Sequence, residues 1–214
     1  MKKEFLATEC IILRRFPYRE TSCLIHTLTR DHGKVDFTVR GCIGGKKGTR
    51  QDIPELFREY TVEYSPRKNS FGSNLYTPHT FELTRIHDGI AGKISSYLEV
   101  CRFGEFLLKN TREEQELTAT FSALSALLDH LTEKTARGRE EFLTDLAFFV
   151  YLNENGLLPE MPREEDAALF ASLLEFGEGL TPVCPAYPED YPPRLHIYLN
   201  ALLGYHRLAG KNNG

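Results

Sequence analysis

Hydrophobic positions along this chain change their period once, near residue 85. Before that point the repeat is two. In residues 34–40, KVDFTVR, Val35, Phe37 and Val39 alternate with polar partners, as in a strand with one face in a core. Residues 5–15, FLATECIILRR, and 22–29, SCLIHTLT, are β-prone runs separated by Phe16-Pro17-Tyr18-Arg19-Glu20, which predicts a turn or wide connection. Arg30-Asp31-His32-Gly33 supplies a tight turn before the third strand, with Gly33 able to take positive φ. Residues 44–52, GGKKGTRQD, hold no apolar anchor and predict an exposed loop. Residues 56–64, LFREYTVEY, predict another strand, and Leu75-Tyr76 the core of a last short one. About five short strands in such a span fit a small closed barrel, in which closure removes exposed edges; a compact β-sandwich would use similar strands.

Beyond the change the period is helical. Ile90, Ile94, Tyr97, Leu98, Cys101 and Glu105 mark one face of a helix over 88–109, and Leu117, Phe121, Leu124, Leu128 and Leu131 repeat the pattern over 113–132. A third helix over 138–154 carries Phe142, Leu146, Phe149 and Val150, and stops at Asn155-Gly156 with Pro159 beyond. A fourth covers 163–175 and ends at Gly177; a last one follows Pro192-Pro193 and runs to about Leu208. Between them 177–193 is too rich in Pro and Gly for regular structure. Three consecutive stripes with short connections should pack on one another. The pattern thus predicts an α+β protein with a β domain over 1–82 and a helical domain over 83–210.

Charge divides the chain at the same place. Lys and Arg outnumber Asp and Glu by 14 to 9 in residues 1–80, whereas the remainder carries 12 against 21, so the net charge of −4 averages two unlike surfaces. A basic β half suggests an anionic partner. With 41% hydrophobic and 26% charged residues the composition is that of an ordinary globular protein. The five cysteines, at 10, 23, 42, 101 and 184, form no CxxC pair and are odd in number, which favours small apolar fillers over a disulfide framework. The start lacks a signal-peptide pattern and no run approaches the roughly 18 apolar residues of a membrane span, so a cytoplasmic protein is expected.

Catalytic signatures are lacking. There is no HExxH, no close Cys/His set and no GxSxG, and the carboxylate groups Glu140-Glu141 and Glu164-Glu165-Asp166 suit charged helix starts. Residues 41–49, GCIGGKKGT, do not satisfy GxxxxGK[ST], because no Gly-Lys step precedes Ser or Thr. Neither an enzyme nor a cofactor is expected. The glycines can instead keep Lys46, Lys47 and Arg50 on an adaptable loop that follows a nucleic-acid backbone, an ordinary solvated loop being the plain alternative. Arg14, Arg15, Arg30, Lys34 and Arg40 flank the strands and would extend the positive surface. Among Phe16, Tyr18 and Phe37 as base-stacking groups, Phe37 belongs by spacing to the barrel interior, and Tyr18, in a polar turn, is the better candidate. Arg14 and Arg15, being adjacent, cannot both face one bound strand if alternation holds.

Residues 11–41, IILRRFPYRETSCLIHTLTRDHGKVDFTVRG, resemble the N-terminal domain of the bacterial recombination mediator family RecO. The pattern runs from an apolar strand through Tyr18-Arg19-Glu20-Thr21 and Leu28-Thr29-Arg30-Asp31-His32-Gly33-Lys34 to Arg40-Gly41 and a basic loop. Ala91 and Tyr97-Leu98-Glu99-Val100 are similar to the helix that opens the family's helical domain, and Glu140-Glu141-Phe142 with Asn155-Gly156-Leu157-Leu158-Pro159 to a later one. The resemblance implies an oligonucleotide-binding (OB) barrel supported by helices. It also implies binding of single- and double-stranded DNA, strand annealing, interaction with RecR, and help in loading RecA onto DNA coated by single-strand-binding protein, whose tail is a further partner. The DNA path would then use Arg14, Arg40, Lys46, Lys47 and Arg50, flanked by Arg30 and Lys34. Ser22 stands where the family often has an acidic residue, the helical domain is short, and the four-cysteine zinc module of many members is reduced to Cys184. A protein-interaction adaptor on the same scaffold is the competing expectation.

Overall fold

The computed structural model describes residues 5–42, 54–66, 75–90, 92–133, 136–159 and 164–208. The chain divides into two compact units, one comprising residues up to His87 together with Thr111–Leu117, the other the remainder. The sequence suggests a single boundary after 82, but the sheet continues to Arg85 and 111–117 packs with the strands.

The first unit is a closed sheet of β1 (Leu6–Tyr18), β2 (Ser22–Thr29), β3 (Gly33–Arg40), β4 (Glu59–Tyr64), β5 (Leu75–Tyr76) and β6 (Pro78–Arg85) in the order β5-β3-β2-β1-β4-β6. Its two end strands are one stretch of chain. Asp36 and Phe37 pair in parallel with Leu75 and Tyr76, and from Pro78 onward the same stretch pairs antiparallel with β4. The sheet therefore closes on itself, which selects the barrel over the sandwich. Cys10, Ile12, Cys23, Ile25, Val35, Phe37, Val39, Tyr60, Val62 and Tyr64 fill the interior, joined by the partly buried Leu6, Tyr76 and Phe81. Phe37 is the hub: its ring meets Tyr64 at 5.2 Å and Phe81 at 5.4 Å, both edge-on. The strand β6 escapes the sequence pattern because its residues are partly or fully exposed, with Phe81 alone joining the core.

Two local features shape this unit. Pro17 and Tyr18 belong to β1 rather than to a turn, and the reversal is Arg19-Glu20-Thr21 with Arg19 at φ 55°. Proline is tolerated there because β4 pairs only with Leu6 to Ile11, leaving the far end of β1 with a neighbour on one side. The turn into β3 ends at Gly33, φ 62°, where a Cβ would lie 2.5 Å from the Arg112 carbonyl oxygen and 2.6 Å from that of Gln115. Gly33 thus meets two demands, a left-handed backbone and the close approach of 111–117.

The second unit contains α1 (Ile94–Asn110), α2 (Thr118–Thr132), α3 (Glu140–Glu154), α4 (Glu164–Glu178) and α5 (Tyr191–Tyr205). Helix α3 is its axis, buried continuously from Phe142 to Leu152. The predicted face of α1 is not the buried one: Ile94 and Leu98 are 79% and 60% exposed, while Ser96, Val100, Phe103, Gly104, Phe106 and Leu107 face inward. Two apolar stripes compete on this helix, and the one with two phenylalanines and two small residues wins. Phe103 and Phe106 pack on Phe148 of α3 at 5.0 and 4.6 Å, burying more area than Ile94 and Leu98 could. Buried Asp145 ties α1, α3 and α5, accepting from Arg102 Nη2 at 2.9 Å and lying 2.8 Å from His196 Nδ1. Gly177 does not end α4. It lies inside the helix, where a Cβ would come within 3.0 Å of Leu146, and Gly179 at φ 82° follows the last turn. Pro192 and Pro193 sit inside the first turn of α5, where missing N–H groups cost nothing.

Candidate nucleic-acid interface

A bulge in β1 builds the surface on which the basic residues meet. Before it, Cys10 and Ile12 point into the barrel. Ile12 pairs with Thr27, but Arg14 pairs with His26, so Leu13 is an extra residue and the alternation of β1 shifts by one. Arg14, Phe16 and Tyr18, which unbroken alternation would aim inward, therefore face outward. Their cross-strand partners complete three rows of three: Arg14, His26 and Asp36; Phe16, Leu24 and Thr38; Tyr18, Ser22 and Arg40.

Within this grid Arg40 is exposed, while Arg14 and Tyr18 are half-buried. The Arg14 guanidinium lies 5.6 Å from the centroid of the Phe16 ring, and that of Arg19 lies 5.2 Å from the Tyr18 ring. His26 Nδ1 is 2.6 Å from Asp36 Oδ1, and its ring meets Phe16 edge-on at 5.6 Å. Lys34 continues the same face of β3, half-buried and opposite Leu28. The face is closed at that end, where Ile11 and Leu28 are fully buried, and open at the Phe16 and Arg40 end.

Arg30 stands apart from this group. It occupies the β2–β3 turn, where its Nε donates to Glu9 Oε2 at 2.5 Å and its backbone N–H to the Glu9 carbonyl at 3.0 Å. Arg15 falls on the opposite side of β1 from Arg14 and donates to the Pro54 carbonyl at 3.2 Å. Phe37 is wholly buried, as its spacing predicts. Lys46, Lys47 and Arg50 lie outside the described residues. Sequence reasoning missed the His26–Asp36 pair, although the even-numbered alternation of β2 and β3 would have placed the two side by side once the register was known.

The described residues of the second unit offer no metal shell. Cys184 stands alone, its sulfur accepting from Arg139 Nη2 at 3.2 Å, and no group of three His, Cys, Asp or Glu residues suited to a metal occurs among the described residues. One thiolate does not fit a structural zinc that takes four ligands. Burial raises the Cys10 and Cys42 thiols, the latter to about 12, which suits packing groups rather than reactive ones. No helix among the described residues is long and apolar enough to cross a membrane.

A closed barrel with parallel closure of β3 and β5, followed by five helices, defines the class: an α+β protein with an N-terminal OB fold. Residues 1–87 match the family described as Recombination protein O N terminal, so this part of the chain is similar to the N-terminal domain of that recombination protein. No curated protein matches the chain.

Proposed function

We propose that this chain is a non-catalytic recombination mediator that binds single- and double-stranded DNA through the outer face of β1, β2 and β3 and the basic residues that follow. The observation that carries this reading is the grid itself, in which Arg14 and Arg40 stand at opposite corners of a strip that is exposed at Phe16 and Arg40 and holds a single carboxylate. Cations at its corners lower repulsion between phosphates, so two strands meet faster while Watson–Crick pairing supplies selectivity. Annealing needs no more than this. Working with RecR, and helping RecA onto DNA coated by single-strand-binding protein, accord with the family.

Fluorescence anisotropy with a mixed-sequence single-stranded oligonucleotide at low and moderate salt tests the reading. Binding should be saturable and weaken with salt. Arg40→Ala should lower the log–log salt slope by about 0.7 to 1, and Lys46→Ala with Lys47→Ala should reduce affinity and annealing with helical content unchanged. Absence of binding at either salt defeats the proposal. It would favour the adaptor reading, which rests on the apolar stripe that α1 leaves exposed at Ile94, Tyr97 and Leu98.

A further inference from the structure

We infer that Phe16 is a base-stacking platform that makes the β1–β2–β3 face prefer unpaired nucleotides; the inference rests on the DNA-binding reading and assigns the part of the nucleotide that charge alone does not engage. Four observations carry it. Phe16 is 40% exposed, in a barrel whose other aromatic rings on β3 and β4 lie in the core. It occupies the middle row of the grid, with the arginines of the outer rows on either side. Its row partners are Leu24 and Thr38, neither of which carries a charge to repel a nucleotide. The Arg14 guanidinium lies over the Phe16 ring, 5.6 Å from its centroid, and so sets a cation at the stacking surface to attract a nucleotide's phosphate.

An exposed phenyl ring offers a base nothing but its π-face, so the contact is indifferent to sequence. Bases inside a duplex are already stacked and do not reach it. A base held by its face keeps its Watson–Crick edge free, and a strand so displayed is ready to pair with a complement. This surface therefore joins phosphate attraction to a presentation of bases that suits annealing. Tyr18 is less suited, being half-buried where Phe16 is exposed.

The chain contains no tryptophan, so Phe16→Trp installs a single reporter. A mixed-sequence oligonucleotide should quench its fluorescence saturably, and an abasic oligonucleotide of equal length should bind without comparable quenching. Phe16→Ala, with circular dichroism confirming the fold, should weaken binding of the ordinary oligonucleotide by about five- to 150-fold, leave the salt slope unchanged, and alter duplex and abasic affinity by no more than about twofold. Wild-type binding with equal affinity for the Phe16→Ala protein, or an equal loss on the abasic strand, overturns the stacking role while leaving the DNA reading intact. A wild-type protein that binds no oligonucleotide overturns both. An acidic peptide that competes as well as the oligonucleotide identifies the face as a plain charge site and also refutes stacking.

Discussion

Replacing Gly33 by alanine should cost the barrel about 3–4 kcal/mol, far more than the same change at Gly41, although both glycines have positive φ. At Gly41, φ 75°, a new Cβ would meet nothing within 4 Å. The cost there is the left-handed strain of an L-residue, about 1–2 kcal/mol. At Gly33, φ 62°, the same strain is joined by contacts of 2.5 and 2.6 Å with the Arg112 and Gln115 carbonyl oxygens and 3.2 Å with the Gln115 nitrogen. These atoms are backbone, so no rotamer change relieves the overlap, and 111–117 must withdraw. Withdrawal breaks the Lys34 N–H bond to the Arg112 carbonyl at 3.3 Å and the Glu114 N–H bond to the His32 carbonyl at 3.0 Å. At about 1 kcal/mol each, their loss adds about 2 kcal/mol to the strain.

Native-state hydrogen exchange suits the measurement, since a protein of two units need not unfold in one step and exchange reads the opening of each region. The slowest amides of β2 and β3 should lose about 3–4 kcal/mol of protection in Gly33→Ala and about 1–2 kcal/mol in Gly41→Ala. Equal losses in the two variants would refute the reasoning, because they would show that 111–117 yields without cost and that Gly33 answers to its φ alone.

Two further outcomes follow from the same geometry. Asp36 is the one carboxylate of the outer grid, and Asp36→Asn, which keeps a hydrogen-bonding partner for His26, should tighten oligonucleotide binding about two- to fivefold at low salt and less at high salt; weaker binding would mean that Asp36 serves the site through His26. His130 stacks on Phe176 at 4.5 Å with Nε2 buried and unbonded, and burial, against the opposing pull of Glu133 and Asp129, holds its pKa below the usual 6.5. The unfolded chain therefore takes up a proton below about pH 6.5 that the folded protein refuses, so the stability of the helical unit should fall as pH drops from there to the lowered folded value and then level off. Urea midpoints between pH 7 and 5 should show that slope in the wild type and a smaller one in His130→Phe.

How much of this was legible in the sequence depended on whether one residue or two had to be placed. The alternation of Val35, Phe37 and Val39 names a buried face outright, and all three are in the core. Asn155-Gly156 marks the end of α3 because its cause is local, Gly156 taking φ 64°. On α1 the spacing admits two apolar stripes, and packing against Phe148, a partner 42 positions or more away, decides between them. Closure of the barrel depends on Leu75 and Tyr76 meeting β3, a long-range pairing that two residues cannot announce. The prolines misled for a reason in backbone chemistry: Pro17 and Pro193 read as breakers, yet each lies where no strand or helix partner needs its N–H.

The candidate site was the least legible part, because a backbone irregularity creates it. Ile12 and Leu13 are both apolar, so nothing in their chemistry says which of them is the extra residue. Without the bulge, Phe16 and Arg14 would share the inward parity of Cys10 and Ile12, and Arg15 and Pro17 would occupy the outer face. That arrangement would set an arginine and a proline outside and put a phenyl ring on the inward side near the barrel rim. With it, Arg15 turns to the Pro54 carbonyl, Arg14 comes beside Phe16, and the outer surface gains an aromatic ring between cations. The charge asymmetry of the chain is therefore enough to suggest an anionic partner, but whether that partner meets charge alone or charge with a stacking surface depends on one inserted residue.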